Sequence, residues 1–430
     1  MKKGLLLLPF VCCYCFSDAQ VLKRLKDKAE SAVTNKTGEA IEKGVNKAAD
    51  KVLNGKESTG EKASTGQSTP SAPEKEKNNS PKLAAYSKFD FVAGEKILLA
   101  DDFSQDAIGE FPKLWNTNNR GEVVNLNNDP SKWLKLAYNT TYVSPFYQTF
   151  PENFTLEFDV IMDLRYNGGG YPWWDFHFYY ATGPNTEFKH TRNIHSNSNL
   201  LVRIVPGEEG VSHTTLSQTE GNTDVFKSQV QRIKFIESLY GKPMHVAISV
   251  QGQRFRMWIN EQKVYDLPKV YPVSSKLNKF ALTISNTGYG EEDLGLYITN
   301  FKVASGVPDT RSKLLTEGKY STTAITFDVA SDKIRETSLG AIKEIADLMK
   351  ANADLRIRIV GHTDSDGAKD ANQALSEKRA QSVKKVLTEF YGIEGGRIET
   401  TGKGASEPVA DNKSSVGKAH NRRVEFVKIK

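Results

Sequence analysis

Between Phe154 and Ile298 apolar residues return at every second position in run after run, a spacing that a helix cannot bury on one side. Phe154, Leu156, Phe158, Val160 and Met162 alternate with Thr155, Glu157, Asp159 and Asp163, and Met244, Val246, Ile248 and Val250 repeat the pattern. So do Phe255, Met257 and Ile259, then Phe280, Leu282 and Ile284, then Leu294, Leu296 and Ile298. Successive side chains of a strand point to opposite faces, so each run is a strand with one buried face. Clusters of Gly, Asn and Pro divide the runs, and residues 89 to 306 are therefore expected to form an all-β antiparallel sandwich. The hairpin turning at Asn260-Glu261 is its clearest local unit.

From Thr316 the period changes. Ala324 to Asp328 reads as a short strand, Leu339, Ile342, Ile345, Ala346 and Met349 mark a helix face, and Leu355 to Gly361 is a second strand. Another helix carries Leu375, Val383, Val386, Leu387 and Phe390, and strands near Arg397 to Thr401 and Val424 to Ile429 finish the chain. The expectation for residues 312 to 430 is an α/β layer pair of order βαβαββ.

The first residues lead to an expectation of export. Lys2 and Lys3 precede an apolar run from Leu5 to Phe16, and Ser17 and Ala19 stand before Gln20, the layout of a signal peptide (1 to 19) cleaved after Ala19. Cys12, Cys13 and Cys15, the chain's three cysteines, all lie there. Lipid attachment to one of them is a competing expectation. Cleavage would leave a mature protein without disulfides. Residues 20 to 54 carry Ile41, Val45, Ala48, Ala49, Val52 and Leu53 on one helical stripe, an amphipathic stalk. Residues 55 to 88 lack the apolar content to fold and read as a disordered linker. The net charge of +6 is modest for 430 residues, and export argues against nucleic acid as a partner.

The chemistry concentrates where one strand ends. Gly361-His362-Thr363-Asp364-Ser365-Asp366-Gly367 leads into a helix with Asn372, Leu375-Ser376 and Arg379-Ala380, and Asn421-Arg422-Arg423-Val424-Glu425-Phe426 lies near the end. These motifs, in this order and spacing, closely resemble the OmpA-like peptidoglycan-binding domain family over a little over a quarter of the chain. The resemblance implies a ligand, the diaminopimelate of a peptidoglycan stem peptide, and no catalysis or cofactor. It assigns Asp364 and Arg379 to the ligand's ammonium and carboxylate, with Thr363 and Asn372 as hydrogen-bonding neighbours. The residue types suit that task, since one carboxylate and one guanidinium match a zwitterion. Arg422 and Arg423 match the family's terminal arginine pair, and Phe327 and Asp328 fall where the family lines its pocket. His362 lacks partners at metal-site spacing, so no metal is expected.

The middle region, through Asp101-Asp102-Phe103-Ser104, Gly109-Glu110-Phe111-Pro112 and Trp115, resembles the concanavalin- or laminin-G-like jelly-roll modules that precede such domains in some Bacteroidetes proteins. A jelly roll of this kind implies a bound glycan or protein, with Trp173, Trp174, Tyr179 and Tyr180 beside Gly168-Gly169-Gly170 as a stacking platform. Two alternatives compete. Glu157, Asp159 and Asp163 resemble the paired acids of sandwich glycoside hydrolases, although the polar face of an amphipathic strand explains them more simply. An outer-membrane barrel over residues 89 to 306 would need longer strands than these, uninterrupted by polar stretches such as Gly207 to Ser228. The expectation is an exported, non-enzymatic protein of the periplasm or outer membrane that tethers its β module to the wall.

Overall fold

The computed structural model describes residues 89–430, apart from 128, 184–185, 189–198, 222 and 308. The signal peptide, amphipathic segment and linker expected over residues 1 to 88 lie outside the described residues.

Two open antiparallel sheets share one core. The strands that matter below are β1 (Lys96–Asp101), β2 (Asn153–Leu164), β3 (Met244–Gln251) and β4 (Leu294–Ser305). In the first sheet β3, β2 and β4 lie side by side, flanked by the hairpin Arg254–Ile259/Gln262–Leu267 on one edge and by Lys132–Leu136 and Gly121–Asn125 on the other, while β1 also pairs with β4. The second sheet is centred on Trp174–Tyr179, between Asn199–Val205 and Lys279–Ile284. Phe154, Leu156, Phe158, Val160 and Met162 of β2 point into a core that also holds Phe176, Phe178, Phe280 and Phe301. Apolar side chains fill the interior and both sheets keep their edges, so the barrel alternative does not hold. The turn at Asn260-Glu261 forms as expected, with Asn260 at φ +50°, the left-handed conformation asparagine tolerates.

The outer face of β2 departs from the expectation. Glu157 and Asp159 belong to the polar set of an alternating strand, yet both are buried. Arg335 of the C-terminal domain reaches Asp159, while Lys302 and His245 enclose Glu157.

That domain runs β5 (Lys319–Thr322), α1 (Leu339–Ala351), β6 (Arg356–His362), α2 (Lys369–Lys385), β7 (Ile398–Gly404), α3 (Ser415–Asn421) and β8 (Val424–Ile429), with sheet order β5-β8-β6-β7. Only β6 and β7 are parallel. Ile357 and Ile359 face Ile342, Ile345, Met349, Val383 and Leu387 of the helical layer, while Arg356 and Arg358 are exposed. Two details correct the expected order. Residues 324–328 do not join the sheet, because their backbone donors go elsewhere: Ala324 N to Thr322 Oγ1, Thr326 N to Ser338 Oγ and Asp328 N to the Lys333 carbonyl. A short helix, α3, also precedes the last strand, capped by Ser414 Oγ accepting from Gly417 N.

Residues 89–94 fill the seam between the two parts. Phe91 packs edge-on against Trp258, with Ala93 and Ala247 beside them. Gly340 of α1 leaves no room for a Cβ, which would collide with the Phe91 carbonyl oxygen. Farther along, Ile97 and Ala100 of β1 pack on Ala419 of α3, and His420 Nε2 lies 3.2 Å from the Ile97 carbonyl.

Candidate functional site

Two glycines bring strand and helix together. A Cβ on Gly361 of β6 would collide with the Ser376 carbonyl, and one on Gly402 of β7 with the Glu377 amide, so α2 lies close over the ends of both strands. The loop between β6 and α2 is held from several sides. Thr363 N donates to the Gly404 carbonyl, Asp366 N donates to Asp364 Oδ1 at 3.1 Å, and Asn372 Nδ2 donates to the Asp366 carbonyl at 2.9 Å. Thr363 and Asn372 thus act on the loop backbone, Thr363 Oγ1 donating to the Asp364 carbonyl at 2.8 Å. Lys418 of α3 pairs with Asp366 at 2.9 Å.

Asp364 and Arg379 line one cavity of about 780 Å³, together with Phe327, Thr363, Asn372 and Arg422. The two are not bonded to each other. Asp364 Oδ2 accepts from Arg422 Nη1 at 2.8 Å. Arg379 donates from Nε to the Ser331 carbonyl at 2.9 Å, and its guanidinium lies over the Phe327 ring, 4.9 Å from the centroid. Burial pushes the Arg379 guanidinium down to about 10, against the opposing charge of Asp364. A half-buried cation with one hydrogen bond to a neutral carbonyl has donors to spare for an anion.

Other expected residues stand elsewhere. Arg423 touches the cavity, but its side chain is buried and donates to Glu425 Oε1 and the Glu407 carbonyl. Arg423, His362 and Lys319 hold the Glu425 carboxyl at about 2 although burial alone would raise it. Asp328 is not brought to the cavity; it pairs with Lys333 at 3.0 Å and faces Arg335 at 3.5 Å. Of the expected stacking platform, Trp174 is buried in the sandwich core, and Tyr179, on the opposite face of the same strand, is buried in a small cluster with Val143, Ala181, Ala281 and Phe188. Trp173 is 43% exposed, but the Arg203 guanidinium already covers its ring at 4.5 Å. Tyr180, next to Tyr179 in sequence, is exposed.

The opposite wall of the cavity comes from the sandwich. Asp101, Asp102, Ser104, Glu157, Asp159 and His245 line it. His245 Nδ1 lies 2.7 Å from Asp159 Oδ1 and its Nε2 lies 3.4 Å from Glu157 Oε2, while Lys302 reaches Glu157 at 3.0 Å. Arg335 crosses from the C-terminal domain to Asp159 at 2.7 Å. A bulge in β4 after Thr299 turns Asn300 so that its amide donates to Asp159 Oδ2 at 2.7 Å. Burial alone would raise both acids, but Lys302 and His245 hold Glu157 below the usual carboxylate range, and His245 and Arg335 hold Asp159 below it. A retaining hydrolase needs one of its acids protonated, and neither of these is suited to that role. Burial likewise would lower His245, yet its bonds to Asp159 and Glu157 raise it to about 9. The sequence showed Glu157 and Asp159 as neighbouring acids and Asp101-Asp102-Phe103-Ser104 as a motif, but not that they share a wall with His245 or face Arg335, which are far apart in the chain.

Residues 326–422 match the sequence pattern of the OmpA family. Over 101 residues the chain is 48% identical to outer membrane porin F of Pseudomonas aeruginosa, a match covering 24% of this chain and 29% of that protein. It is 41% identical over 96 residues to the outer-membrane lipoprotein YfiB of the same species, covering 22% of this chain and 56% of that protein. Among solved structures, the peptidoglycan-associated lipoprotein of Burkholderia pseudomallei aligns at 26% identity with a TM-score of 0.24, covering 28% of this chain and 98% of that one. The chain therefore spans less than a third of the porin's length and about half of the lipoprotein's. The C-terminal part carries an OmpA-family domain, and these curated relatives are outer-membrane proteins by name.

Proposed function

We propose that residues 312–430 hold peptidoglycan non-covalently by the diaminopimelate of its stem peptide, Asp364 receiving the ammonium and Arg379 the carboxylate. The observation that carries this reading is that the two opposite charges share a cavity without neutralising each other. A zwitterionic end group completes both, and the guanidinium can grip a carboxylate with two parallel bonds. Thr363 and Asn372 keep the loop that aims Asp364, Phe327 supports Arg379 from below its plane, and Arg422 balances the charge of Asp364. Arg423 acts at one remove, through Glu425.

The protein is then an exported envelope component, periplasmic or at the outer membrane, that works by binding rather than by catalysis. The two-sheet module is read as a jelly roll whose own ligand, a glycan or a protein, is tethered to the wall. The likeness to outer-membrane relatives over the C-terminal domain supports the location.

The test is co-sedimentation of the full chain with purified sacculi. Asp364→Ala and Arg379→Ala each leave a partner charge unmatched, which typically costs about 2 to 5 kcal/mol. Each variant is expected to bind more than tenfold more weakly with its circular dichroism unchanged. Wild-type binding by both variants would refute the assignment.

A further inference from the structure

We propose that the β-sandwich is the second wall of the peptidoglycan site, so that the cavity takes the diamino acid together with the stem-peptide residues attached to it. This rests on the reading of Asp364 and Arg379 given above.

Four observations carry it. The cavity is lined from both parts of the protein, with Asp102, Ser104 and Ser131 facing it from the sandwich and Asp364, Arg379 and Arg422 from the C-terminal domain. Arg422 physically joins the two walls: its Nη1 donates to Asp364 at 2.8 Å and its Nη2 to Asp102 Oδ2 at 3.4 Å. The charge that balances the ligand-binding carboxylate is therefore shared with a sandwich carboxylate. An ammonium arriving at Asp364 displaces Arg422 toward Asp102, which is already in place to receive it.

The second wall is also fixed. Arg335 bonds Asp159, Lys313 bonds Glu95, and Phe91 and Ile97 are packed against the C-terminal domain, so the sandwich cannot retreat without breaking buried contacts. Lastly, the cavity's volume of about 780 Å³ lies in the range of sites that enclose a whole drug-sized ligand, several times what one amino acid fills. On the sandwich side the exposed Ser104 and the half-buried Ser131 offer hydroxyls to the amides and carboxylates of a peptide.

The experiment titrates the full chain calorimetrically with two ligands, free meso-diaminopimelate and the tripeptide L-alanyl-γ-D-glutamyl-meso-diaminopimelate. The wild type is expected to favour the tripeptide at least tenfold. Ser104→Trp places a bulky ring in the cavity from an exposed turn, and Asp102→Asn removes the receiving charge with no change of shape. Ser104→Trp should cut the preference for the tripeptide at least fivefold, and Asp102→Asn should weaken the tripeptide severalfold. Loss in either variant supports the composite site; tripeptide binding as tight as wild type in both overturns it. If Asp364→Ala binds both ligands like the wild type, or the wild type binds neither, the underlying reading of the site fails and the second wall falls with it.

Discussion

His245 sits between two carboxylates that would repel each other without it, with Lys302 and Arg335 completing the ring of charge around Glu157 and Asp159. Its folded-state value of about 9 lies above the ordinary 6.5. The sign follows: the folded form holds the proton more tightly, so this contribution is fully present below about pH 6.5 and is lost as pH rises through 9. By linkage its full size is on the order of 3 kcal/mol. Thermal melts of the full chain should therefore fall in midpoint between pH 7 and pH 10, and His245→Gln should start lower and lose that dependence; an identical slope in the variant would remove His245 from the account. Glu157 and Asp159 act oppositely, contributing above the usual carboxylate range and losing their effect in acid. In the chain Glu157 and Asp159 were visible only as alternating acids with the spacing of a solvent face, and the partners that enclose them, His245, Lys302 and Arg335, were not legible. Asp364 and Arg379 were legible, because their motif lies within one strand-loop-helix unit. Asp102 was not, because what gives it meaning is Arg422, which arrives from the far end of the sequence.

At the scale of elements, the approach of α2 to β6 and β7 sets where Arg379 stands relative to Asp364. Gly361→Ala would press a methyl against the Ser376 carbonyl. Overpacking of that kind costs about 1 to 3 kcal/mol, and here it would also lift the helix off the strand ends. Urea melts should show the loss of stability, and binding to sacculi should weaken along with it; a variant as stable as the wild type would mean the helix has room to shift. The period-two strands of the sandwich were readable because each pays one face to the common core and one to another surface. The segment 324–328 was misread for a definable reason: alternation shows which residues are apolar, but not whether backbone donors meet a neighbouring strand or, as here, the hydroxyls of Thr322 and Ser338. Trp174 and Tyr179 failed as a platform because Trp174 faces the sandwich core and Tyr179, on the other face, is covered by Ala181 and Phe188.

For the molecule as a whole, the seam packs the two folded parts against each other through Phe91, Ile97 and Arg335. Phe91 is its apolar centre, wedged between Trp258 and the backbone of Gly340. Truncating a buried phenylalanine costs about 3 to 5 kcal/mol. In scanning calorimetry the wild-type chain is expected to unfold its two parts in a single transition, and Phe91→Ala to split that transition in two; two separate peaks in the wild type would show that the seam couples nothing. Between the last residue of β4, Ser305, and the helical turn that opens at Thr310 the chain has only four residues. If the C-terminal domain holds the wall as proposed, a tug on the wall would reach the sandwich through that short link and the seam side by side, so the protein would bear load like a rigid bracket and not like a weight on a string.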